Sequence, residues 1–154
     1  MKKIVALMCA AALVFVVAGC AAKGIDKKEL QLSEYDGIAV NEPVQMFIKQ
    51  KTVTDATEEL TLRYENLSDK EFTFDAGARL EMLVDGSWYL IPAASDAMTM
   101  AVYHLPAGGS EEGSFVLAGN YEKLSEGSYR IVKLFTDADG VMTVAAAEFN
   151  IGRG

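Results

Sequence analysis

His104 is the single histidine of the chain, so any nucleophile–histidine–acid relay would have to run through it alone. It stands at a strand end before Leu105-Pro106, and the chain has no Gly-x-Ser-x-Gly elbow, so an exposed surface histidine is expected rather than a general base. Zinc needs several His or Cys ligands, which the sequence does not supply. Asp137, Asp139 and Gly140 have the start of a calcium loop, but Met142 and Thr143 follow where further oxygen ligands are needed, and an Asp-Gly turn is the expectation. Glu58-Glu59 and Glu111-Glu112 are adjacent pairs; on a strand such neighbours point to opposite faces and cannot work together as a glycosidase pair. Met98, Met100 and Met142 offer soft sulfur to copper, yet alternating methionines on a strand are expected to fill a core. No cofactor is implied, and an enzyme is not expected.

The remaining reactive side chain is Cys20. Met1-Lys2-Lys3 is a short basic start, and Ile4 to Val17 is an uncharged, almost unbroken apolar run. That run is shorter than the roughly 20 residues that span a bilayer, which fits a cleaved export signal over residues 1–19. Val17-Ala18-Gly19-Cys20 resembles the lipobox of bacterial lipoproteins. The resemblance implies a diacylglyceryl group on the Cys20 thiol and cleavage that leaves Cys20 as the new N-terminus. It also implies a protein held in the cell membrane by its lipid, with its bulk on the extracytoplasmic side. The alternative is an ordinary secreted protein cut near Ala18 or Ala22. Cys9 lies within the apolar run, so after cleavage and acylation the mature domain has no thiol and no disulfide.

Loss of Lys2 and Lys3 with the signal takes the net charge from −8 to −10. Such a surface is repelled by phosphate backbones, which argues against nucleic-acid binding. Residues after Cys20 fit one domain. Residues 20–42 are read as the lipidated N-terminus and a flexible tether, with Lys23, Asp26, Lys27, Lys28, Glu29 and Glu34 mixing signs along it. A coil of that length reaches roughly 25–30 Å. Leu30, Leu32, Tyr35 and Ile38 leave an edge strand or short turn as the other possibility.

Residues 43–154 read as the folded domain. Val44, Met46 and Ile48, then Leu60, Leu62 and Tyr64, alternate with polar neighbours in the period of half-buried strands. Phe72 and Phe74, and Leu80, Met82 and Val84, continue the pattern. Asp85-Gly86 is a tight-hairpin signal returning the chain through Ser87 to Ile91. Asn66-Leu67-Ser68-Asp69 marks a turn; the glycosylation sequon it contains is given little weight. Further strands are expected from Met98 to His104, around Phe115 and Leu117, from Ser128 to Phe135, and over Ala145 to Ile151. Asn120 to Glu126 is read as either a helical turn or an irregular crossover. Many short strands separated by turns indicate an all-β antiparallel sandwich of about seven to nine strands.

Leu124-Ser125-Glu126-Gly127-Ser128-Tyr129 has the layout of a tyrosine corner, in which a tyrosine at the start of a late strand bonds to backbone just upstream. Together with Asp85-Gly86-Ser87-Trp88-Tyr89, Glu65 to Phe72, Gly127 to Lys133 and Ala147-Glu148-Phe149, it gives a domain that resembles a bacterial immunoglobulin-like domain family over Pro43 to Ile151. The resemblance implies an extracytoplasmic all-β module, an immunoglobulin-like β-sandwich, and no particular activity. The function expected is a lipid-anchored, non-catalytic binding or adaptor domain of the cell envelope, a monomer whose partner is an envelope protein or glycan. A β-sandwich proteinase-inhibitor-like module is the alternative, with Ala93 to Ala97 as its only candidate loop. Trp88 and Tyr89 are sequence neighbours, so in a two-layer sandwich one of them must face outward or lie under a loop. The face carrying the outward one, flanked by Tyr103, is the expected binding surface.

Overall fold

Alternating side chains give each strand one face to bury, and two sheets bury those faces against each other in the computed structural model, which describes residues 29–95 and 100–152. The export signal, Cys20, residues 21–28 and Met98 lie outside the described residues, and so does the end of the Ala93–Ala97 connection. Ten strands follow in order: β1 (Gln31–Leu32), β2 (Val44–Ile48), β3 (Glu59–Asn66), β4 (Phe72–Asp75), β5 (Arg79–Val84), β6 (Ser87–Ile91), β7 (Val102–Leu105), β8 (Ser110–Val116), β9 (Gly127–Asp137) and β10 (Met142–Ile151). Every pairing between named strands is antiparallel. The described residues hold no α-helix.

A small sheet has the order β2-β3-β8. The large sheet has seven strands: the path β1-β6-β5-β9-β4-β7, with β10 on β9. The long strand β9 organises it. One edge pairs with β10 from Gly127 to Thr136. The other edge is shared: β5 takes Tyr129 to Val132, and β4 takes Thr136 and Asp137. Leu60, Leu62 and Tyr64 of the small sheet meet Leu80, Ile131, Phe135, Ala145 and Ala147 of the large one in a single core. Asp85 and Gly86 both have positive φ, 50° and 86°, in the two-residue hairpin that sets the β5–β6 register, as expected of a primed turn.

The corner is formed. Tyr129 is 1% exposed, and its hydroxyl donates to the Ser125 carbonyl at 2.8 Å. Asn66 is also a turn residue rather than a glycan acceptor: it is buried, and its amide donates to the carbonyls of Lys70, Leu105 and Pro106.

Three expectations are corrected. From Gln31 onward the stretch read as tether is part of the domain. β1 extends the large sheet at β6, and the chain then straps across that sheet's outer face to β10. There Asn41 accepts from the Ala146 N–H at 2.9 Å and donates its amide to the Ala146 carbonyl at 2.8 Å, and its own N–H donates to Val144. Secondly, Met100 is 96% and Met142 67% exposed, so neither fills the core; Met100 precedes β7 and Met142 is the first residue of β10, where alternation no longer reports a buried face. Thirdly, among the described residues the strand expected to end near His104 begins only at Val102 and runs to Leu105, while β8 begins at Ser110, well before Phe115.

Candidate functional site

Trp88 and Tyr89 fall on opposite faces, as alternation demands. Tyr89 opposes Met82, which packs against the core. Trp88 takes the outer face and is covered there by two devices. The Arg130 guanidinium stacks 4.4 Å from the Trp88 ring centre, and the strap closes over both. Ser33 donates its N–H to the Trp88 carbonyl at 2.8 Å, and Asp36 accepts from the Trp88 N–H at 3.0 Å. Arg130 is 4% exposed and Glu81 1%, and their side chains pair at 2.7 Å. A buried pair of charges needs its remaining donors and acceptors filled. Arg130 donates further to the Tyr35 carbonyl, and Ser33 Oγ donates to Glu81 Oε1. Trp88 is thus half-buried under the strap rather than free.

Tyr103 does not flank this face. It lies on β7, separated from β6 by β5, β9 and β4 in the sheet order. It belongs instead to a cleft of about 590 Å³ between the β4–β7 margin of the large sheet and β3–β8 of the small one. The cleft is built on aromatic rings. Phe74 stacks on Tyr103 with ring centres 5.4 Å apart and meets Tyr64 edge-on at 5.2 Å, and Tyr64 meets Phe135 at 5.4 Å. Tyr103 stays 46% exposed at the mouth.

Two polar groups lie deep among these rings. Lys133 is 3% exposed because β9 carries it into the gap between β4 and β5 on its shared edge. Its ammonium donates to the carbonyls of Asp75 at 2.6 Å and Gly77 at 2.7 Å, which closes the β4–β5 connection. The Phe74 ring lies 5.2 Å from the nitrogen. Burial pushes the Lys133 amine down to about 8, with the nearby Asp75 charge opposing. Tyr64 is 2% exposed, and burial alone pushes its phenol up to about 12. No described residue bonds the Tyr64 hydroxyl, and no buried side-chain polar atom among the described residues lacks a partner. The hydroxyl therefore opens onto the cleft that the ring lines. A Cβ on Gly113 would come within 2.6 Å of that oxygen, so the glycine is what lets the ring lie across β8.

Asp75, Glu111, Glu112 and His104 complete the lining. Glu112 pairs with Lys49 at 2.7 Å, and that bond holds its carboxyl below the usual range. His104 is exposed, its Nδ1 2.9 Å from a Glu71 oxygen, so it belongs to a surface pair. The acidic turn Asp137-Ala138-Asp139-Gly140 is likewise committed elsewhere. Asp137 accepts from the N–H groups of Asp139 and Val141, and Lys70 pairs with both Asp137 and Asp139. Sequence reasoning named Tyr103, placed Tyr64 only as an alternating residue of a half-buried strand, and gave Lys133 no role. The signal available for Lys133 was a lysine on the inward period of the most apolar strand.

Comparison with known proteins bears on the fold. The model of a family described as "Bacterial Ig-like domain" matches residues 40–150. No curated protein matches the chain. Among solved structures, the archaellum periplasmic stator protein FlaG from Sulfolobus acidocaldarius is 14% identical, with a TM-score of 0.40 over 69% of this chain and 99% of that one. A structural-genomics target, SoR45, is 11% identical, with a TM-score of 0.40 over 74% of this chain and 89% of that one. A chain of the FlaF–FlaG stator complex from the same archaeon is 12% identical, with a TM-score of 0.39 over 84% of this chain and 99% of that one. The family match runs from the strap into β10 and takes in nearly every strand of the sandwich, and the chain belongs to the bacterial Ig-like domain family.

Proposed function

We propose that this protein is a lipoprotein of the cell envelope, anchored through Cys20 on the extracytoplasmic side, whose Ig-like domain is a non-catalytic binding module. The observation that carries the binding role is the open aromatic cleft around Tyr103. An Ig-like sandwich spends its inner faces on the core and keeps edges and end loops for partners. Here one sheet margin holds an exposed ring above the Tyr64 hydroxyl, which opens onto the cleft. The groups that resemble catalytic or metal-binding ones are engaged in local bonds: His104 with Glu71, and Asp137 and Asp139 with Lys70. The anchor is supported by the order of basic start, apolar run and Val17-Ala18-Gly19-Cys20.

One experiment with two variants tests both halves. Wild type should label with a fatty-acid analogue and fractionate with the membrane. Cys20→Ser should do neither. Tyr103→Ala should label and fractionate normally but lose envelope partners that wild type retains in a pull-down. Equal labelling of Cys20→Ser overturns the anchor, and unchanged partners for Tyr103→Ala overturn the binding surface.

A further inference from the structure

We propose that the cleft between Tyr103 and Glu111 is a carbohydrate subsite that takes a neutral or amino-bearing pyranose of a glycan. The inference rests on the binding role given above and names its ligand class. Three features of the cleft act together. Tyr103 presents a ring that is backed by Phe74 on one side and is 46% exposed overall. The apolar C–H face of a sugar ring covers such a surface, and a stacked second ring holds the platform still. Deeper in, the Tyr64 hydroxyl has no partner among the described residues. That hydroxyl opens onto the cleft, so a ligand hydroxyl that reaches it exchanges a hydrogen bond with it in place of solvent. At the lip, Asp75 and Glu111 are exposed carboxylates that accept from sugar hydroxyls in charge-assisted bonds.

A polyhydroxylated ring satisfies all three groups at once, because each hydroxyl both donates and accepts. The volume of about 590 Å³ lies within the usual range for small-ligand sites. Charge narrows the class. Asp75 and Glu111 outnumber Lys133, whose ammonium already serves two main-chain carbonyls, while Glu112 is paired with Lys49. Uronic and sialic acids are thereby disfavoured, and neutral or amino sugars are favoured. β7 and β8 are each the last strand of their sheet and keep main-chain groups free, so a peptide strand is the competing occupant that the peptide probe below tests.

The test is saturation-transfer NMR on the full chain with cellobiose, maltose and chitobiose. Glucuronic acid and the peptide acetyl-Ala-Lys-Val-amide serve as comparison probes. At least one neutral disaccharide should receive saturation, and glucuronic acid should not. Tyr103→Ala should abolish the transfer. Tyr64→Phe keeps the ring and removes only the hydroxyl, and it should weaken binding roughly tenfold. Both variants are compared with wild type for an unchanged thermal midpoint, and Tyr64→Phe serves alone if Tyr103→Ala fails to fold. Absence of transfer from every disaccharide overturns the ligand class, while the envelope pull-down separately decides the binding role. Binding that survives both substitutions overturns the location, and transfer to the peptide alone reassigns the cleft to a protein partner.

Discussion

Tyr129 shows how one hydroxyl can hold a corner. It is buried, it donates to the Ser125 carbonyl, and burial raises its pKa above the ordinary phenol value. Tyr129→Phe should therefore destabilise the domain by about 1–3 kcal/mol in urea unfolding, because the Ser125 carbonyl is left without its donor. No change in the midpoint would mean that water replaces the hydroxyl at no cost. Lys133 makes a prediction in pH. Its folded pKa is depressed to about 8 against an ordinary 10.5, so between these values the unfolded chain binds more protons than the folded one. Stability from this residue is lowest below pH 8 and rises as pH climbs from about 8 to 10.5. Wild type should therefore gain on Lys133→Met across that window in denaturant melts, and a constant gap would show that the amine titrates normally. Tyr129 could be placed from its sequence because a corner has a fixed local spacing. Lys133 could not, because the gap it fills exists only once β4 and β5 have split one edge of β9.

The strap is the element that reading by periodicity assigned to the wrong side of the domain boundary. Residues 31–42 combine acidic residues, a glycine and the short apolar run Ile38-Ala39-Val40, with no alternation long enough to announce a strand. What fixes them is the outer face of the large sheet: Ser33 on Glu81 and Trp88, Tyr35 under Arg130, Asp36 on Trp88, Asn41 on Ala146. A chain cut to begin at Pro43 loses these bonds and uncovers a pair of charges that are otherwise 5% and 1% exposed. It should be less stable than a chain beginning at Ala21 by at least about 2–4 kcal/mol, counting roughly 1 kcal/mol for each lost hydrogen bond. Equal thermal midpoints for the two chains would show that the strap is decoration. The opposite lesson comes from β8. Its first half, Ser110 to Ser114, was not legible because an exposed edge strand is kept polar and charged. Its one glycine, Gly113, makes sense only beneath the Tyr64 ring.

At the scale of the molecule, architecture was more legible than surface. Alternation in β2, β3, β5 and β6 and the Asp85-Gly86 hairpin lead to antiparallel sheets, and inward positions such as Leu60, Leu62, Leu80 and Ile131 form one core. The joining of Tyr103 to Tyr64 and Glu111, and the parting of Tyr103 from Trp88, depend on which strands become neighbours, and no local pattern states that. The strap has one further consequence, a mechanical one. Tension entering from the N-terminal side meets β1 first, and β1 holds β6 through two residues, Gln31 and Leu32. A pull of that kind opens a short ladder one rung at a time rather than shearing all rungs together. Peeling as far as the Glu42–Pro43 bond would pay out at most about 40 Å of chain while β2 to β10 keep their pairings. The folded chain therefore carries a reserve of slack on its N-terminal side, and small displacements applied there are absorbed before the sandwich itself bears load.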